Sequence, residues 1–194
     1  MKNKLTPALI LALLLAASVS CYKKEVGAQA AALGNTVLYL KYNVHAVTHK
    51  HDITASYANW TNPPEGHTVI PINTAITIEP WRKGFAFKVN KDGRVVYVDV
   101  DESNAKMSGL DYAKLITQPT PVALEQFSEI DRQGIAQAKP LVGMTKAGVT
   151  AALGYPAKHR TPSLEANEWT YWQSRFTTLV VEFDSQGKVK NIRR

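Results

Sequence analysis

Three stretches of the chain carry residue types that do chemistry. The first is HAVTHKH, which holds His45, His49 and His51. His49 and His51 would face one side of a strand, and two such imidazoles with a third ligand can hold zinc in a tetrahedral site. Asp52 is out of phase with both and no cysteine lies near, so the stretch reads as a hairpin of exposed histidines, with no metal. The second is LVGMTKAGVTAALGYPAKHRTP, Leu141 to Pro162, where Gly143 and Gly148 have the spacing of a phosphate-binding loop. Such a loop needs a lysine directly after the second glycine, because that ammonium reaches the β and γ phosphates. Val149 and Thr150 stand there, so the stretch is read as binding no nucleotide. The third places His159, Ser163 and Glu165 close together, but a nucleophilic serine needs a strained turn and no G-x-S-x-G is present. Asp99 and Asp101 end a strand-like run, where carboxylates are usually solvated. The expectation is a protein that is not an enzyme and carries no cofactor.

Aromatic residues offer binding chemistry instead. Trp169, Tyr171 and Trp172 lie in EWTYW, with Arg175 and Phe176 just beyond. On a strand, Trp169 and Tyr171 share a face and suit a core, which puts Trp172 on the opposite face beside Arg175. Tryptophan and arginine are enriched at interface centres, so Trp172 and Arg175 are the candidate protein-binding pair. An alternative ligand site, for peptidoglycan or a small molecule, would use Tyr57, Trp60 and Trp81, whose rings can stack on sugars or cap a small core.

These candidates must be positioned by elements that the sequence also outlines. Thr145 suits a helix N-cap, Lys146 to Leu153 a short helix, Gly154 a left-handed stop, and Pro156 follows it. Val149 and Leu153, four apart, give that helix its apolar stripe. Strand-like alternation runs from Asn35 to about Asp101, and Lys91-Asp92-Gly93 marks a hairpin tip. That region predicts a small antiparallel sheet or barrel, SH3-like in outline. Helix formers follow from Ser103, with Leu110, Lys114 and Leu115 in one amphipathic segment that closes the β-rich domain, residues 35–118. Pro119 and Pro121 make a candidate hinge. Beyond it, 119–194 predicts a helix from Val122 to Ala138, the short helix, and strands at Glu168–Gln173, Arg175–Phe183 and Lys188–Arg193. The fold class is therefore α+β, with two helices on a three-stranded antiparallel sheet at the C-terminal end.

The chain begins with Lys2 and Lys4, an apolar run from Leu5 to Val19 and small residues before Cys21, the one cysteine of the sequence. This is the pattern of a secretory signal, residues 1–20, and the apolar run is short for a membrane span of about 20 residues. Without the signal the formal charge of +7 falls to about +5. The positive residues are scattered and no arginine-rich stripe is interleaved with aromatics, so nucleic acid is excluded as a partner. An anionic lipid surface or an acidic protein fits the excess better.

Two resemblances add to this reading. Ser18-Val19-Ser20-Cys21 resembles a bacterial lipoprotein cleavage box, departing from it at Ser18 where leucine is usual. The resemblance implies that Cys21 carries acyl chains, that 21–34 is a lipid-proximal linker, and that the protein is tethered in the cell envelope. Tyr22 after the cysteine, instead of aspartate, implies the periplasmic face of the outer membrane. The order GMT, short helix, LGYP, EWTYW, apolar strand and FDSQGKVKNI resembles the SmpA/OmlA family of outer-membrane lipoproteins over residues 135–194. That resemblance implies a protein-binding or scaffolding role in outer-membrane assembly or integrity, with an envelope protein as partner. The chain departs from the family at Gly148, where a glutamate or glutamine is usual. A glycine there costs about 1 kcal/mol and removes half of a capping box.

Overall fold

The computed structural model describes residue 34 and residues 36–194. The expectations for residues 1–20, for Cys21 and for nearly all of the linker lie outside the described residues. No helix among the described residues is long and apolar enough to cross a membrane.

Alternation correctly marks the strands of the N-terminal region, and it says which face of each strand is buried. β1 (Leu38–Leu40), β2 (Val44–His49), β3 (Asp52–Ser56), β4 (His67–Ile70), β5 (Ala75–Trp81), β6 (Gly84–Val89) and β7 (Val95–Asp99) share one core through residues such as Leu40, Ile70, Ile78, Phe87 and Val96, while Tyr39, Trp81 and Tyr97 lie outside it. The tip at Asp92-Gly93 joins β6 to β7 as an antiparallel hairpin. Partners are another matter. The sheet has eight strands in the order β4-β2-β3-β7-β6-β5-β1-β8, and β3 runs parallel to β7. The wholly antiparallel sheet expected from the sequence is therefore corrected to a mixed one. Period-2 patterning fixes faces but is silent on which strand lies alongside which.

Two helices close this unit. α1 (Glu102–Ala105) is capped by the Asp101 carboxylate, which accepts from Ser103 N and Asn104 N. α2 (Gly109–Ile116) is capped by Ser108 and buries Gly109, Tyr112, Ala113 and Ile116, spaced 3, 4 and 7 along one face. Leu110 and Leu115 flank that face half-buried. The chain then enters β8 (Thr117–Gln118), which pairs with β1.

The proline pair follows, but the segment is pinned. The Asn73 side chain donates to Val122 O at 2.9 Å and accepts from Val122 N at 2.6 Å. A 3-10 turn at Leu124–Gln126 precedes α3 (Glu129–Gln137). α3 starts seven residues later than the expected Val122, because Ser128 caps it. Its hydroxyl accepts from Asp131 N and donates to the Asp131 carboxylate at 2.7 Å.

α4 (Lys146–Leu153) has the expected ends. Thr145 Oγ1 accepts from Gly148 N at 3.0 Å, and Gly154 stops the helix at φ 77°, with ψ −169° in place of the left-handed value expected. A side chain at Gly154 would also strike Asn59 and the Tyr42 ring. Gly148 is explained by a partner seventeen positions earlier in the chain. The Asp131 carboxylate, 1 % exposed, accepts from Thr145 N at 2.8 Å and from Thr145 Oγ1 at 3.2 Å. It thus makes the reciprocal half of the capping box that an acid at position 148 would make. A Cβ at 148 would sit 1.9 Å from Asp131 Oδ1, so glycine is the residue that lets α3 deliver this acid.

β9 (Glu168–Trp172), β10 (Thr178–Phe183) and β11 (Val189–Arg193) form an antiparallel sheet in the order β11-β10-β9, with the Asp184–Gly187 turn between the last two. β10 begins three residues after the expected Arg175. Ile135, Met144, Val149, Leu153, Trp169 and Tyr171 are among the residues of a second core between this sheet and α3–α4. Fold class α+β describes the whole.

The two cores meet along a seam, and one side of it is closed by buried polar groups. Asn43, 2 % exposed, donates to Ile135 O at 2.7 Å and Ala152 O at 3.3 Å and accepts from Ile72 N at 2.9 Å. His45, expected on an exposed hairpin, is 1 % exposed beside it. Its Nε2 lies 3.1 Å from Ala152 O and its Nδ1 3.0 Å from His67 Nε2. A carbonyl only accepts, so Nε2 carries the hydrogen and Nδ1 accepts from His67. Burial, the largest cause, lowers the His45 pKa to about 4.

Candidate functional site

The other side of the seam is open, and residues that the sequence assigned to different sites converge there. Thr61 N and Asn62 N donate to Trp172 O and Gln173 O at 2.9 and 3.0 Å, so the loop after β3 continues the edge of the small sheet. This brings Tyr57 and Trp172 to one histidine. Trp172 Nε1 donates to His159 Nε2 at 3.3 Å, and His159 Nδ1 lies 3.4 Å from Tyr57 Oη. An indole N–H only donates, so Nε2 is the bare nitrogen and Nδ1–H points at the phenol. Both bonds are long and exposed, which leaves the strip adjustable.

The cation over the Trp172 ring is Arg160, 5.2 Å from its centroid. Arg175, the partner expected from the sequence, lies over Phe176 at 5.4 Å in the β9–β10 turn, where Phe176 is 84 % exposed. The pair Trp172 and Arg175 is therefore replaced by Trp172 and Arg160. Strand geometry put Trp172 on the open face correctly, but Arg175 is already past the end of β9 and follows the turn away. Trp169 and Tyr171 are buried as expected, at 2 % and 0 %.

The alternative set also separates. Trp81 packs on Tyr97, 5.4 Å between centroids, on the large sheet. Trp60 is half-buried in the seam loop, whereas Tyr57 stands on the rim of a pocket. That pocket, about 280 Å³, is lined by Tyr57, Met107, Tyr112, Leu115, Tyr155 and Leu164 among others. Its wall residue Tyr112 opens a phenol relay that runs inward to the buried Tyr42. Tyr112 Oη donates to Tyr57 O at 3.3 Å and therefore accepts from Tyr42 Oη at 3.0 Å. Burial pushes the Tyr112 pKa up to about 12 and that of Tyr42 well above its usual value, so both stay neutral.

The phosphate-loop lysine has a structural task. Lys146 Nζ donates to Leu164 O and Glu165 O at 3.0 Å each and stands over the Trp169 and Phe183 rings. His49 and His51 lie at the β2–β3 turn, and no group of three or more His, Cys, Asp or Glu among the described residues is placed to hold a metal. Ser163 Oγ accepts from Glu165 N at 3.2 Å within the loop.

Sequence reasoning missed Arg160, Tyr112 and Tyr155 as parts of the site and treated His159 as loop. A signal was present for Tyr112, which recurs with Ala113 and Ile116 on the buried face of α2. None was present for His159 and Arg160, which reach Trp172 only because Thr161 Oγ1 accepts from Thr170 N at 2.9 Å and holds the loop against β9. No family model, curated protein or solved structure matches the chain.

Proposed function

We propose that the protein is a non-catalytic lipoprotein of the bacterial cell envelope that binds a protein partner on the open side of the seam. The observation that carries this reading is the strip Tyr57–His159–Trp172–Arg160, which combines aromatic faces, a cation and adjustable hydrogen bonds beside an apolar pocket. Aromatic and arginine side chains next to a pocket that takes an apolar anchor are the usual centre of an interface. The partner best suited presents an apolar side chain for the pocket and an acid for Arg160. Tyr112 in the pocket wall and Tyr42 behind it are held neutral, which suits binding and offers no general base.

The resemblance of residues 135–194 to the SmpA/OmlA family, and of the leader to a lipoprotein signal with Cys21 acylated, supports a tethered role in outer-membrane assembly or integrity. Tethering raises effective concentration, so a modest site suffices. Cys21→Ser should abolish labelling by a fatty-acid analogue; unchanged labelling would remove the anchor from the reading.

The test is a photo-crosslinker placed at Trp60 and at His159 of the full chain in intact cells. The expected result is an adduct with one envelope protein, lost when Tyr57→Ala is added. Retention of the full chain on purified peptidoglycan, with no protein adduct, would overturn the proposal in favour of a peptidoglycan-binding module.

A further inference from the structure

Trp172 faces the open strip, and the residue after it faces the other way. Trp169, Tyr171 and Gln173 alternate along β9 and just past it, and Gln173 is 9 % exposed on the helix side of the sheet. There it lines a cleft of about 570 Å³. Its backbone N–H and C=O are bonded to Thr177 O and Asn62 N, whereas its side-chain amide makes no hydrogen bond to any described residue. The amide is open to the cleft, since Asn59 Nδ2 is the one buried side-chain polar atom without a partner among the described residues, so the Gln173 amide can donate to and accept from whatever fills that space.

The rest of the lining says what would pair with it. Leu153, Leu179, Val69 and Ile192 make an apolar floor, and Lys139 and Arg194 stand at the rim. No Asp or Glu side chain among the described residues lines the cleft. Lys139 is close enough to His67 to help lower its pKa, after burial, which places that positive charge at the cleft wall. The C-terminal end of α3 also borders the cleft through Gln137 and Ala138, but its partial negative charge, roughly half a unit, is outweighed by two full cations.

We propose that this cleft binds a small amphiphilic carboxylate, with its acid at Lys139, Arg194 and the Gln173 amide and its apolar body on Leu153, Leu179 and Ile192. A concave apolar floor with a few convergent polar groups is the form of a small-molecule site. A bare inorganic anion would leave that floor unfilled, and a cation would meet two like charges. The cleft and the Trp172 strip lie on opposite faces of β9, so either assignment can fail alone.

The test titrates the full chain with 3-phenylpropionate while following the Gln173 side-chain NH2 by NMR. A saturable shift in the millimolar range or below is expected, absent with 3-phenylpropylammonium and small with 3-phenylpropanol. Lys139→Met should weaken binding about tenfold, the loss of one charge-assisted contact. Gln173→Leu, which fills a similar volume and removes the amide, should weaken it comparably when binding is followed by the backbone amides of Lys139 and Leu179, with the fold intact by circular dichroism. No saturable shift overturns the proposal. So does an equal shift with the ammonium, with the alcohol or with inorganic phosphate, and so does an unchanged affinity in Lys139→Met.

Discussion

The two sides of the seam join the same pair of cores by opposite means. On the closed side, Asn43 and His45 are 2 % and 1 % exposed and their side-chain bonds end on backbone groups of the other core or on His67. On the open side, Tyr57, His159 and Trp172 meet through bonds of 3.3 and 3.4 Å at exposed positions. Buried polar pairs lose much when one member is removed, whereas exposed long ones lose little. The closed side therefore fixes the relation of the two cores, which leaves the open side free to adjust.

The sharpest way to break this contrast is Asn43→Leu. Ile135 O and Ala152 O keep other donors, Ala138 N and His45 Nε2, but Ile72 N loses its acceptor inside the protein. One stranded buried N–H and two lost bonds should lower stability by roughly 4 kcal/mol, read from urea unfolding at neutral pH. A loss within experimental error would mean that the seam does not depend on its polar side.

Acid should open the same side by a smaller amount. The unfolded His45 takes up a proton near pH 6.5, while the folded one resists until about pH 4, so the folded state binds fewer protons in between. The stability is thus fully present above pH 6.5 and falls as the pH drops towards 4. The complete loss is about 3 kcal/mol, from the shift of the one group. His67, also lowered, acts in the same direction. His45→Gln should flatten the pH dependence of the urea midpoint between 6.5 and 4; an unchanged slope would assign the acid sensitivity elsewhere.

What the sequence discloses about these regions depends on how far the deciding contact lies along the chain. The ends of α4 are legible because Thr145 caps Gly148 N within three residues. The faces of β5, β6 and β9 are legible because alternation is local. Asn43, Asp131 and His45 were not, because each acts on groups at distant points of the chain, as Asn43 does on Ile135 and Ala152. Gly148 shows the difference best. Locally it is a costly helix glycine, and only the approach of Asp131 makes it necessary. The α3 boundary was misplaced for a related reason, since Val122, Leu124 and Phe127 pack against the second core from the segment and 3-10 turn that precede α3. At the candidate site, Trp172 was found from strand phase, but its arginine was sought nearby in sequence instead of across the loop that carries His159.

That last difference gives the smallest expected effect on stability and the most specific one on binding. Arg160 and Arg175 are both exposed, and each lies over an aromatic ring, Trp172 and Phe176 respectively. An exposed cation–π contact is worth about 0.5–1 kcal/mol, so either change to alanine should move the thermal midpoint little. Their positions differ, however. Arg160 completes the strip beside the tyrosine-lined pocket, and Arg175 sits in the β9–β10 turn with Phe176. Arg160→Ala should therefore reduce crosslinking from His159 strongly, as truncation at an interface centre costs 2 kcal/mol or more, roughly thirtyfold in affinity. Arg175→Ala should leave it near the unmodified level. The reverse pattern would move the binding centre to the turn, where the exposed Phe176 would become its anchor, and the open side of the seam would then be no more than a loosely joined edge.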